Sequence, residues 1–157
     1  MLETTDSTRP MSGGCQCGAV RYQLLCAPTH ASICHCRMCQ KASGQPMMAF
    51  ARVPKDKLRW TRGTPGVFHS SSLVERHFCS ACGTPLTYRF VEGPSISVTM
   101  CSLDDPEAAR PQVQYSVDTQ LSWFAAMPEL PAKRTDEFIT PDRAARMVNN
   151  QHPDHDT

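Results

Sequence analysis

A chain of 157 residues is long enough for one domain with its own core, and its longest apolar runs fall short of the roughly 20 residues that a membrane helix needs. Its formal charge is only +1, and its 16 Lys and Arg are scattered, so there is no electrostatic footprint for nucleic acid. Neither a membrane nor a nucleic-acid partner is expected.

The first residues are polar and broken by Pro10, so residues 1–12 read as a flexible leader that ends at Gly13-Gly14. Alternating or β-branched stretches then recur at 19–25, 47–53, 58–61, 73–78, 86–90 and 95–100, punctuated by Pro54, Gly63-Thr64-Pro65-Gly66, Gly83 and Gly93-Pro94. The pattern predicts a mainly β, mostly antiparallel protein with few short helices. One helix is expected over 37–43, stopped by Gly44, and another over 141–148, with Thr140 as cap and Pro141 in the first turn. The His- and Asp-rich tail from Asn149 reads as mobile.

The most informative residues are cysteines in three clusters, Cys15-Gln16-Cys17, Cys34-His35-Cys36-Arg37-Met38-Cys39 and Cys79-Ser80-Ala81-Cys82. Thiols one or two residues apart suit chelation of one ion. In an extended C-x-C unit both thiols emerge on one face, and a C-x-x-C turn achieves the same by curling, helped after Cys82 by Gly83. A structural zinc takes four ligands, with zinc–sulfur distances of about 2.3 Å. Seven clustered thiols are three more than one ion uses, which permits one closed four-sulfur site and one three-sulfur site with an open corner. His35, His69 or His77 could close the second site. A disulfide scaffold fits less well with an odd count of nine cysteines, the lack of a secretory pattern and a chain long enough for its own core, and reduced, metal-binding thiols point to a cytoplasmic location. Cys26 and Cys101 stand apart and read as buried thiols.

Three segments carry a family resemblance: Gly14-Cys15-Gln16-Cys17-Gly18-Ala19-Val20-Arg21-Tyr22, the stretch from Cys34 through Cys39 to Gly44, and Phe78-Cys79-Ser80-Ala81-Cys82-Gly83-Thr84-Pro85-Leu86. With Leu103-Asp104-Asp105-Pro106, they resemble the glutathione-dependent formaldehyde-activating enzyme family, which also includes centromere protein V. The resemblance implies an antiparallel β-tent over residues 13–134, followed by a short helix and polar tail over 135–157. It further implies two zinc ions. Cys15, Cys17, Cys79 and Cys82 would hold the structural one; Cys34, Cys36 and Cys39 would hold a second, catalytic one with a position left for substrate. The family's type reaction adds the thiol of glutathione to formaldehyde, giving S-hydroxymethylglutathione, and is classed as a carbon-sulfur lyase reaction run in reverse.

Three thiolates on a divalent ion leave a net charge of −1, which makes the metal a weak source of hydroxide and a better acceptor of a thiol as its thiolate. The chain departs from the family pattern in three places. Cys101-Ser102 stand where glycine and threonine are usual, Pro111-Gln112-Val113-Gln114-Tyr115 lacks a frequent histidine, and an aspartate is missing between Trp123 and Leu130-Pro131. These differences bear on the pocket wall and on substrate choice.

Other residues take plainer readings. His35 is expected on the solvent side or in a hydrogen bond, Trp60 and Trp123 in the core or at a pocket rim, and Arg37, Lys41 and Arg52 as surface cations with glutathione carboxylates as possible partners. Two other functions stay open: a non-catalytic zinc-stabilised binding module, and a thiol redox enzyme resembling the methionine sulfoxide reductases, for which Cys101 or Cys26 would be the reactive thiol.

Overall fold

The computed structural model describes residues 10–157, so positions 1–9 of the expected leader lie outside the described residues. Strand β1 (Met11–Gly14) already includes the last two leader positions and pairs antiparallel with β2 (Arg21–Leu24). After β3 (His30–Cys34) comes helix α1 (Arg37–Ser43), then β4 (Met48–Pro54) and β5 (Leu58–Arg62). The hairpin strands β6 (Gly66–Ser71), β7 (Val74–Phe78), β8 (Pro85–Phe90) and β9 (Ser95–Thr99) follow. A short β10 (Val113–Tyr115) and a last helix α2 (Pro141–Arg146) complete the regular elements, with one- and two-turn 3₁₀ segments between them.

The strands form two sheets, a three-stranded one ordered β1-β2-β5 and a seven-stranded one ordered β10-β3-β4-β9-β8-β7-β6. All pairings are antiparallel except β10 with β3, which run parallel. The fold is therefore mainly β, with few and short helices.

Period-two alternation explains where the core sits. Tyr22 and Leu24 of the small sheet point at Ala51, Val53, Ile96 and Val98 of the large one, with Leu86, Met100 and Leu103 completing the cluster. Fully burying one large aliphatic or aromatic side chain of this kind contributes about 1.5–3 kcal/mol. Cys15 and Cys79 belong to this same core. A smaller cluster of Cys39, Met48 and Phe50, backed by Cys34, Cys36 and Tyr88, lies apart from it.

Helix α1 ends, and helix α2 begins, where its signal places it. Gly44 closes α1 in the left-handed region at φ 66°, and Thr140 caps α2 by accepting the Arg143 N–H. The second helix stops at Arg146, short of 148, and the chain then folds back. The His152 N–H donates to the Gln16 carbonyl at 2.7 Å, and Asp156 reaches Arg21 at 3.1 Å. The tail thus packs on the first cysteine loop, drawn by two arginines, Arg21 and Arg62.

The leucine-aspartate-aspartate-proline block has a structural task. Asp104 receives a two-pronged pair from the buried Arg21, at 2.8 and 2.6 Å, and also accepts from Ser12 at 2.5 Å. One carboxylate thereby ties β1 and β2 to the loop after β9.

Candidate functional site

The structure brings the seven clustered cysteines into two groups. Within each group the sulfurs lie within 4.8 Å of one another: Cys15, Cys17, Cys79 and Cys82 in one, and Cys34, Cys36 and Cys39 in the other. In the first group Cys15 and Cys17 sulfurs are 3.6 Å apart, and those of Cys17 and Cys79 are 3.9 Å apart. Four sulfurs arranged tetrahedrally at about 2.3 Å from a central ion would be separated by about 3.8 Å, so the spacing fits a metal ion.

Two knuckles build the first group. The Cys15-Gln16-Cys17-Gly18 unit curls as a turn, with the Gly18 N–H on the Cys15 carbonyl at 3.0 Å, rather than running extended as the C-x-C spacing suggests. The Cys79–Gly83 turn mirrors it, with the Gly83 N–H on the Cys79 carbonyl at 2.8 Å. Each turn needs a positive φ, which glycine supplies at Gly18 (75°) and Gly83 (80°). Burial pushes the Cys82 thiol up, but hydrogen bonds from the Thr84 hydroxyl and backbone outweigh it and bring it down to about 6. Cys15 and Cys79 are almost fully buried, at 3% and 1% exposure, so this site is part of the core.

The second group is assembled by the end of β3 and the start of α1. Cys34 closes the strand, Cys36 is the helix N-cap, and Cys39 sits in the first turn, where its N–H donates to Cys36 Sγ at 3.4 Å. Burial raises the Cys36 thiol, but the Cys39 and Met38 N–H groups and the neighbouring thiols lower it further, leaving it below the ordinary value. Cys39, by contrast, is pushed by burial up to about 12, against the pull of Arg76.

All three sulfur-bearing residues line a cavity of about 420 Å³ with Phe50, Val74, Tyr88 and Phe90 as apolar walls, Arg52 and Arg76 as its cations, and His30 beside them. Among the described residues no histidine nitrogen joins the three sulfurs within 4.8 Å, so none of the three candidates closes the group. His35 is fully buried with its Nε2 on Gln114 Oε1 at 2.8 Å and its ring edge-on to Phe124. It takes the hydrogen-bonding role and not the solvent-side one. His69 faces Glu75 and is 69% exposed, while His77 bonds Thr87 Oγ1 at 2.6 Å.

A second cavity, of about 520 Å³, lies beyond Arg76 and Met38, which it shares with the first. Arg37, Lys41 and His77 line it beside Phe68 and Phe78. Arg37, Lys41 and Arg52 are thus placed on cavity walls, where spacing alone left them as surface cations.

Other expectations are corrected. Cys101 is exposed, not buried, because the strand ends at Thr99 and Cys101 is the outer residue of the 3₁₀ turn Met100–Ser102, whose two other side chains are buried; Cys26 is half-buried. Cys101 lines a narrow space with Cys15, Thr84 and His152, remote from the three-thiol cavity. Trp60 packs edge-on against Tyr22 with ring centroids 5.9 Å apart, but Trp123 is 52% exposed. Sequence reasoning misses Arg76 and Gln114; both follow from strand positions next to the site, which no local motif marks.

Residues 10–119 match the sequence model described as glutathione-dependent formaldehyde-activating enzyme. An uncharacterized lyase of Schizosaccharomyces pombe is 33% identical over 81 residues, which span 52% of this chain and 58% of that protein's length. A Halomonas elongata protein named "Putative glutathione-dependent formaldehyde-activating enzyme" is 28% identical over 126 residues, 72% of this chain and 78% of that one. The crystal structure of a Rhodobacter sphaeroides protein superposes with a TM-score of 0.54 at 24% identity, covering 68% of this chain and 100% of that one, and so shares the fold. With the match spanning more than two thirds of its length and including both thiol groups, the chain belongs to the glutathione-dependent formaldehyde-activating enzyme family.

Proposed function

We propose that the chain is a zinc enzyme of the carbon-sulfur lyase type that makes or cleaves a thiol–aldehyde adduct, with glutathione and formaldehyde as the first pair to test. The observation that carries this reading is the three-thiol group left unclosed at the wall of a 420 Å³ cavity. Cys15, Cys17, Cys79 and Cys82 would hold a structural zinc, and Cys34, Cys36 and Cys39 a second. The second zinc would supply a Lewis acid of low charge that takes up a thiol as thiolate near neutral pH, where a free thiol of pKa about 8.5 is mostly protonated.

The protein's residues supply the rest. Cys36 and Cys39 are held in register by the first turn of α1, which fixes the donors before substrate arrives. Phe50, Val74 and Tyr88 give the cavity apolar walls, against which charge interactions are stronger than in bulk water. The His30–Tyr115 pair, at 3.1 Å, stands on the same cavity wall. In the addition, the sulfur forms a bond to the carbonyl carbon, the thiol proton leaves to solvent, and the former carbonyl oxygen takes up a proton to become a hydroxyl. Cleavage is the reverse. Thiols that stay reduced for such chemistry fit a cytoplasmic setting, and no described helix is long and apolar enough to cross a membrane.

The test is exchange-rate measurement by NMR on mixtures of glutathione and isotope-labelled formaldehyde. Protein should accelerate interconversion of free and adduct forms above the spontaneous rate, and Cys36→Ser should abolish the acceleration. An unchanged rate with the zinc-loaded protein sinks the assignment of this thiol–aldehyde pair.

A further inference from the structure

Arg76 of β7 is 7% exposed, and among the described residues no carboxylate lies within ion-pair distance of it. Its Nε donates to Ser70 Oγ at 3.3 Å, its Nη1 to Met48 Sδ at 3.5 Å and its Nη2 to Cys39 Sγ at 3.4 Å, while the guanidinium lies 5.0 Å from the centre of the Tyr88 ring. The other arginines that are shielded from solvent are treated differently: Arg21 meets Asp104 and Asp156, and Arg89 meets Glu75. Leaving a buried guanidinium without an anion is costly, and the group that the fold sets against this one is the three-thiol cluster, through Cys39 Sγ. The surroundings point the same way. The two cavities that meet at Arg76 are lined by Arg37, Lys41, Arg52 and Arg76 and by no Asp or Glu.

We propose, resting on the zinc reading above, that Arg76 is a positioning residue of the open site, a fixed positive charge set against Cys39 Sγ that favours a negatively charged sulfur as the incoming ligand. Three thiolates and a divalent ion carry −1, which one guanidinium cancels. A thiol that enters as its thiolate, giving its proton to buffer, takes the group to −2, and Arg76 halves the charge left in a poorly solvated place. The hydrogen bond to Cys39 also withdraws electron density from one donor, as outer partners of metal ligands do.

The test uses the full chain loaded with cobalt(II) in place of zinc and titrated with 2-mercaptoethanol, an uncharged thiol that isolates the sulfur from any carboxylate contact. The wild type should gain sulfur-to-cobalt charge-transfer intensity on titration. Arg76→Gln, which keeps a hydrogen-bonding end without the charge, should hold the same cobalt content and circular dichroism but bind the thiol about 10–100-fold more weakly. Arg76→Lys should recover much of the loss. Equal affinity and equal charge-transfer energy in wild type and Arg76→Gln would overturn the role of Arg76 alone. Should Arg76→Gln not fold, the Arg76→Lys comparison decides, since a charge role requires it to bind the thiol within a few-fold of wild type. A wild type whose spectrum ignores the thiol would overturn the thiol-binding reading, and the role of Arg76 with it.

Discussion

Arg21 and Asp104 form a two-point ion pair across the fold, Nη1 to Oδ1 at 2.8 Å and Nη2 to Oδ2 at 2.6 Å, with the arginine 3% exposed. Although burial pushes the Asp104 carboxyl up, the hydrogen bonds from Arg21 and Ser12 outweigh it and hold the group below its ordinary 3.8. Asp104→Asn should therefore destabilise the protein by about 3 kcal/mol at neutral pH, because it leaves a buried guanidinium underpaired. The wild-type advantage is complete above the ordinary carboxylate value and is lost as pH falls through the depressed one, since the unfolded chain takes up the proton first. Urea unfolding of both proteins across that range measures it.

Cys79→Ser and Cys36→Ser should behave differently although both remove one sulfur. Cys79 is 1% exposed in the main core, where loss of one of the four proposed zinc ligands should cost at least about 5 kcal/mol and abolish cooperative unfolding. Cys36 lies in the smaller cluster and caps α1, a position that serine fills well, so its variant should stay folded within about 2 kcal/mol of wild type. Thermal unfolding followed by circular dichroism separates the two cases.

His35 neighbours two cysteines of the open group, yet its ring is locked between Gln114 and Phe124 with no exposure. His35→Ala should cost about 2–4 kcal/mol through a cavity and a lost hydrogen bond. The pH profile of any residual activity should keep its shape. A missing limb in that profile would instead make His35 an acid–base catalyst.

Cys101 is exposed and faces the first cysteine loop, not the three-thiol cavity. In zinc-loaded protein, where the seven clustered thiols would be held by metal, it should be alkylated before the half-buried Cys26, and Cys101→Ser should leave thiol-adduct exchange within about twofold, as is usual for surface changes. Loss of a sulfoxide-reducing activity in that variant would favour the redox reading instead.

Much of the site was legible because the thiol spacings are local and self-contained: the two groups read from Cys15 through Cys82 are the two groups in space. Strands bounded by Pro or Gly were legible too. Strand β3 was missed because His30-Ala31-Ser32 has little β propensity and draws its stability from pairing with β4. Strand β10 has three residues and a parallel partner far away in sequence, which no short-range pattern announces. Exposed β6 carries no apolar alternation. Arg76 escaped notice for a similar reason, since only the β6-β7-β8 hairpins turn it toward Cys39. The exposure of Cys101 was not legible either, because it depends on the 3₁₀ turn Met100–Ser102 that interrupts the alternation of the strand before it.

The central claim is that one thiol group is closed and the other open to a substrate sulfur, and metal content tests it most directly. Elemental mass spectrometry on protein purified without added metal, before and after mild chelation, should find two zinc ions per wild-type chain, one of them readily removed. Cys36→Ser should hold a single, tightly bound ion. One tightly held zinc in both proteins would contradict the account, leaving Cys34, Cys36 and Cys39 without a metal to serve.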